Sequence, residues 1–181
     1  MNADEIFVTK MCHDLAGTIG SLNNTTELLS IDSSFVEEGI PLLKQSTKML
    51  VAKLKFFRAL LGSETIITPD IAKDYLDVLP MSITLEGIAS SKLQLAFVLF
   101  ASEVLIRGGT LQLNEDGFTC SGVSILLDET KKNVLLKKEE ILKPQYMSVL
   151  WLVQWMKKEK MRAEIFQNEE ALSIHFLSEN F

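Results

Sequence analysis

Two rows of evenly spaced apolar residues constrain this 181-residue chain more than any other feature. Ile40, Leu43, Thr47, Leu50, Leu54, Phe57 and Leu61 follow one another at intervals of three and four in strict alternation, the seam of a helix that packs in a bundle. Val8, Leu15, Leu22 and Leu29 recur every seven residues in the segment before it, with Met11, Cys12 and Ile19 between them. The spacing predicts one helix from about Ala3 to Ser30 and a second that stops at Gly62. Between them, Ile31-Asp32-Ser33-Ser34 offers turn and N-cap chemistry, with Glu37 three residues after Ser34 as a capping box. Pro41 suits a first helical turn, so a separate turn or slight kink is expected before it. One antiparallel pair of helices buries two such stripes poorly. Two hairpins bury them well, so the expectation is a homodimer with a four-helix bundle, the alternative being a hairpin packed on its own C-terminal half.

His13 sits within the first row but off its stripe. At about 100° per residue it lies roughly 140–160° from Val8 and Leu15, and therefore faces outward. Lys10 is one turn before it, and Gly17, Gly20 and Asn24 share that outer face. An exposed imidazole flanked by small residues suits a nucleophile toward phosphorus, which needs one free ring nitrogen and room for a partner. Glycine within a helix costs about 1 kcal/mol relative to alanine. Gly17 and Gly20 are read either as clearance for a partner or as sites of close helix packing or a kink.

The segment His13-Asp14-Leu15-Ala16-Gly17-Thr18-Ile19 resembles the phospho-acceptor box of sensor histidine kinases: His, acid, aliphatic, two variable residues, Pro, aliphatic. Extended through Gly20-Ser21-Leu22-Asn23-Asn24 and Glu27-Leu28-Leu29, it is more similar to the ChpT-type histidine phosphotransferases of alphaproteobacteria. Thr18 stands where the kinase box usually has Pro. The resemblance implies a dimeric four-helix bundle carrying the histidine, followed by a degenerate kinase-like ATP-binding domain. It implies relay of a phosphoryl group between receiver domains, one on a hybrid histidine kinase and others on response regulators, with no autokinase step. His13 would be the phospho-acceptor through Nε2, and Asp14 would orient the ring or manage its proton. Lys10, Gly17, Gly20, Ser21 and Asn24 would form the receiver-docking surface, with Lys10 steadying phosphate charge. Mg²⁺ would belong to the receiver, and no cofactor or metal to this chain.

Composition bounds the rest. A net charge of −6 argues against a general nucleic-acid binder, and 47% hydrophobic residues are enough for a sizeable core. Cys12 and Cys120 are the only cysteines and have no metal-ligand spacing, so neither a disulfide framework nor a zinc site is expected, and a reduced cytoplasmic setting fits. The N-terminus lacks a secretory pattern, and the longest apolar candidate, Leu93 to Ile106, is too short and too interrupted to span a membrane. Lys44, Lys48, Lys53, Lys55 and Arg58 make the second helix basic; the run is read as a solvated face that would attract an acidic receiver.

The division expected is a hairpin phosphotransfer domain over residues 1–62 and an α/β domain over 63–181, an α+β protein overall. After a short helix from Ile71 to Leu79, strands are expected at Met81–Gly87, Thr110–Leu113, Phe118–Leu127, Arg162–Gln167 and Ala171–Leu177. A helix capped by Ser90-Ser91 should run to about Arg107, and another from Pro144 to about Lys158, while Lys131–Lys143 is open between helix and loop. The element order resembles the ATP-binding domain of histidine kinases, which implies an Asn-containing helix for Mg²⁺ and phosphates and an Asp-x-Gly-x-Gly adenine loop. Lys92 to Val104 contains no Asn, and no Asp-x-Gly-x-Gly or phosphate loop occurs anywhere, leaving Glu103 as a lone carboxylate. His175 is read as facing solvent, Trp151 and Trp155 as core or interface, and Lys157–Arg162 as a solvated helix end. The reading is a histidine phosphotransferase. A true sensor kinase core, and a non-catalytic dimeric scaffold or kinase inhibitor, are the rivals.

Overall fold

The computed structural model describes residues 3–31, 33–62, 66–138 and 143–179. Helix α1 (Ala3–Ile31) and helix α2 (Val36–Leu61) form the hairpin, joined through a 3-10 turn at Ser33–Phe35. That turn displaces the expected cap: the N-cap of α2 is Phe35, which makes no side-chain cap hydrogen bond, and Ser34 lies inside the turn. Pro41 sits inside α2, which runs through it without a separate turn. Gly62 ends α2 as expected, but in an extended conformation, its N–H bonded to the Arg58 carbonyl at 2.8 Å. Ser63 and Glu64, where the domain junction is expected, lie outside the described residues, as do Asp32 and residues 139–142.

Apart from Leu29 and Phe57, the expected stripes are not the surfaces that join α1 to α2. Val8 is 49% exposed, Ile19 45% and Leu54 47%, while Leu15, Leu22, Leu29 and Leu50 are half-buried. The α1 face against α2 instead carries Phe7 and Thr18, the Thr18 hydroxyl lying 3.8 Å from Met49 Sδ. The reason is geometric. A single neighbour covers one side of a helix, and Leu15 lies about 60° round from Thr18. From Val8 to Val51 the only buried described residues are Thr18, Thr25 and Gly39. A β-carbon on Gly39 would come within 2.7 Å of Leu29 Cδ2, so glycine there lets the helices close.

The other end of the hairpin is anchored by aromatics. Phe7 meets Phe57 edge-on at 6.0 Å, and Phe56 stacks on Tyr75 of helix α3 (Pro69–Asp77) at 4.0 Å. Such pairs add about 0.5–1.5 kcal/mol beyond the area they bury. Ile6, Phe7, Phe56 and Leu60 belong to the same core as the α/β half.

Strands β1 (Ile83–Glu86), β2 (Gly109–Leu113), β3 (Gly117–Ser121), β4 (Met161–Gln167) and β5 (Ala171–Ser178) make a mixed sheet in the order β1-β2-β3-β5-β4. Only β1 and β2 are parallel. Leu172, Ile174 and Phe176 alternate onto one buried face of β5, where Phe97 of helix α4 (Lys92–Val104) stacks on Phe176 at 5.3 Å. Every residue of α4 from Leu95 to Ala101 is buried, as befits a helix enclosed on all sides. Ser91 caps it with Gln94 in a reciprocal capping box. Helix α5 (Glu129–Leu135) fills the start of the undecided segment, and helix α6 (Met147–Lys158) follows a 3-10 turn at Pro144–Tyr146. The expected strand from Phe118 to Leu127 stops at Ser121. There a β-carbon on Gly122 would come within 2.7 Å of the Gly108 carbonyl oxygen, and the chain leaves the sheet, Leu126 N–H bonding the Val104 carbonyl at 2.8 Å. No described helix is long and apolar enough to cross a membrane.

Candidate functional site

The α1 helix continues unbroken through His13 and Thr18, so Thr18 replaces the box proline without interrupting the backbone pattern. The His13 side chain is 84% exposed, with Nδ1 3.6 Å from Asp14 Oδ1. That separation is an electrostatic contact rather than a hydrogen bond. The nearer partner of the same oxygen is Lys10 Nζ at 2.7 Å. Lys10 is therefore committed to Asp14, and Nε2 is the ring nitrogen left on the side away from it.

Beside His13 an open groove of about 350 Å³ runs between the two helices. Asp14, Gly17, Thr18 and Ser21 form its α1 wall, and Ser46, Met49 and Lys53 its α2 wall. Thus Gly17 and Ser21, among the expected docking residues, share the groove with His13, whereas Gly20 and exposed Asn24 lie outside it. A β-carbon at Gly17 or Gly20 would meet nothing within 4 Å, so both glycines face open space within this chain.

Lys53 changes place most relative to the sequence reading. Its ammonium is half-buried, 3.3 Å from Thr18 Oγ1 and 3.5 Å from the Asp14 carbonyl oxygen. Burial pulls its pKa below 10.5; Asp14 opposes that shift and Lys10 adds to it. The sequence signal exists in retrospect. Ser46, Met49, Lys53, Phe56 and Leu60 form a second row of alternating three- and four-residue steps, and its last two members are buried.

A second cavity, of about 310 Å³, lies between the hairpin and the α/β half, where Lys10 and Asp14 face Tyr75, Glu103 and Lys131. Glu103 accepts a 2.6 Å hydrogen bond from Ser148, and burial raises its pKa. Among the described residues no three His, Cys, Asp or Glu side chains converge as a metal site would require. His175 lies, as expected, on the outer face of β5 opposite Leu172, Ile174 and Phe176, half-buried there with Nδ1 3.2 Å from Asp116 Oδ2 and the Phe166 ring edge-on at 5.9 Å. Trp151 and Trp155 pack on the core, Trp155 edge-on to Phe176 at 5.8 Å.

No family model matches the chain. The protein phosphotransferase ChpT of Brucella abortus (strain 2308) is 26% identical over 126 residues, 62% of this chain and 60% of that protein. Over that stretch the chain is similar to ChpT. A solved bacterial phosphotransferase superposes on this chain with a TM-score of 0.81 and 21% identity, covering 97% of this chain and 95% of the other. That likeness shows a shared fold, hairpin and mixed sheet together, over nearly the whole chain. The match to the curated relative spans about three fifths of that protein's length.

Proposed function

We propose that this chain is a histidine phosphotransferase that carries a phosphoryl group between receiver-domain aspartates on His13, without autokinase activity. The observation that carries the proposal is the exposed His13 ring at the mouth of an open interhelical groove, with Asp14 on its Nδ1 side. With the proton on Nδ1, the Nε2 lone pair attacks phosphorus in line. The bond from phosphorus to the donor aspartate oxygen breaks, and the aspartate leaves as a carboxylate with that bond's electrons. The ring, now cationic, keeps its Nδ1 proton close to Asp14. The reverse sequence on a second receiver returns a neutral imidazole.

The groove and open glycines give a receiver access to His13. The exposed Val8, Ile19, Ile40 and Leu54 support a homodimer in which a second hairpin covers the rows α1 and α2 leave bare. On this reading residues 1–62 form the dimerisation and transfer domain and 63–181 the kinase-like domain, in the cytoplasm. The partners are receiver domains of a hybrid kinase and of response regulators, which bring their own Mg²⁺. The protein is incubated with a ³²P-phosphorylated receiver domain, and acid-labile label is followed in wild type and His13→Gln. Label on wild type alone is expected. Label reaching His13 from ATP without a receiver would indicate a kinase, and a dimer that never accepts label would indicate a scaffold.

A further inference from the structure

Lys53 is the one α2 cation that enters the His13 groove, and its surroundings leave it short of negative charge. Its two hydrogen bonds, to Thr18 Oγ1 at 3.3 Å and the Asp14 carbonyl at 3.5 Å, are long and go to neutral atoms. Among the described residues no carboxylate lies within ion-pair distance of it. Asp14, the nearest acid by sequence and contact, gives Oδ1 to Lys10 at 2.7 Å. An ammonium has three N–H donors, so at least one remains to point into the groove. A half-buried cation without a counter-ion costs folding energy, and its lowered pKa reflects that burial.

We propose that the Lys53 ammonium is the seat of the phosphoryl oxygens while the group is carried by His13, making Lys53 a residue of the transfer chemistry. The proposal rests on the histidine phosphotransfer reading. The phosphoryl group brings about two negative charges to a groove in which Lys53 is the one lysine or arginine among the described lining residues, Lys10 being paired with Asp14 and facing the second cavity. A charge-assisted bond from Lys53 to a non-bridging oxygen would form as phosphorus leaves the donor oxygen and binds Nε2. Lys53 gains and loses no proton in that step; it stabilises charge that moves with the phosphoryl group.

The test uses phosphoramidate, a small donor that phosphorylates imidazole and releases ammonia, so no receiver is needed. Wild type should form acid-labile phosphohistidine. Lys53→Met should accumulate it about tenfold more slowly, the factor one charge-assisted contact supplies, and Lys53→Arg should stay close to wild type. A purely structural lysine would not move the second readout: the ³¹P titration midpoint of the phosphorylated protein should rise by about one unit in Lys53→Met. Equal rates and equal midpoints in wild type and Lys53→Met would overturn the assignment. His13→Gln separates this failure from failure of the transfer reading. There, millimolar inorganic phosphate should still shift the Lys53 ε-carbon resonance, and a resonance that does not move counts against the anion seat. The phosphate titration needs no Lys53→Met protein, so it decides the point even where that variant misfolds.

Discussion

Lys10 Nζ holds Asp14 Oδ1 at 2.7 Å across one turn of α1, and Asp14 forms a wall shared by two cavities. On one side Asp14 faces the His13 groove; on the other, Lys10 and Asp14 face Glu103 and Lys131. Asp14, next to His13, is thus held within the hairpin by Lys10 and borders the cavity that separates the hairpin from the α/β half. A short box motif shows only the helical neighbour of His13, and not what stands behind it.

Asp14→Asn should therefore separate stability from chemistry. Removing a half-exposed i,i+4 ion pair should cost less than about 1 kcal/mol in chemical denaturation. Phosphohistidine formation should fall about tenfold, because the cationic ring would lose its nearest carboxylate. Lys10→Met should produce the same small stability change while leaving transfer within a few-fold of wild type. Equal loss of transfer in both variants would assign the role to Lys10 instead.

The buried carboxyl behind that wall predicts a pH dependence. Burial raises the Glu103 pKa above 4.5, so the folded chain binds this proton more tightly than the unfolded chain does. Stability from Glu103 is then greatest at low pH and is lost as pH rises from about 4.5 through the raised folded value. Glu103→Gln can keep an acceptor for the Ser148 hydroxyl without a charge to bury. It should flatten this part of the stability–pH curve and be more stable than wild type at pH 8 in urea melts. A wild-type curve that rises with pH over that window, unchanged by Glu103→Gln, would contradict the assignment.

Local chemistry made much of the α/β half legible. The Ser91 cap of α4 and the period-two burial of Leu172, Ile174 and Phe176 both follow from near neighbours in sequence. The hairpin was legible as two helices, but not in its pairing of faces. Two alternating rows run along α2, one through Leu50 and Leu54 and the other through Met49 and Lys53. Periodicity favours the more apolar row, while α1 meets members of both, Phe57 through Phe7 and Met49 and Lys53 through Thr18, because a single neighbour covers a side of the helix rather than a row. The early end of β3 was hidden for a different reason. Gly122 meets Gly108 through a contact no local pattern announces.

The bare row predicts assembly. Leu54 is 47% exposed in the single chain, so a polar residue there is tolerated unless a second hairpin covers it. Leu54→Glu should convert a dimer to a monomer by light scattering, with helical circular dichroism retained. Burying that carboxylate unpaired in the interface would cost several kcal/mol, enough to dissociate it at micromolar concentration. Wild-type protein that is monomeric at high micromolar concentration would remove the bundle.

Gly20 discriminates between docking and packing on the His13 face. It lies just outside the groove wall formed by Gly17 and Ser21, and an added β-carbon would meet nothing within 4 Å. Gly20→Leu should therefore leave the hairpin intact or raise its Tm slightly, since leucine is the better helix former by somewhat less than 1 kcal/mol. If a receiver approaches His13 over this face, transfer from a phosphorylated receiver should fall at least tenfold. Labelling by phosphoramidate, which needs no docking, should be unchanged. If Gly20 instead meets the second hairpin, the same substitution should lower the Tm and weaken the dimer, with both labelling reactions following the loss of assembly. A stable Gly20→Leu dimer that accepts label from the receiver at the wild-type rate would place docking on the groove side, where Gly17→Leu becomes the informative substitution.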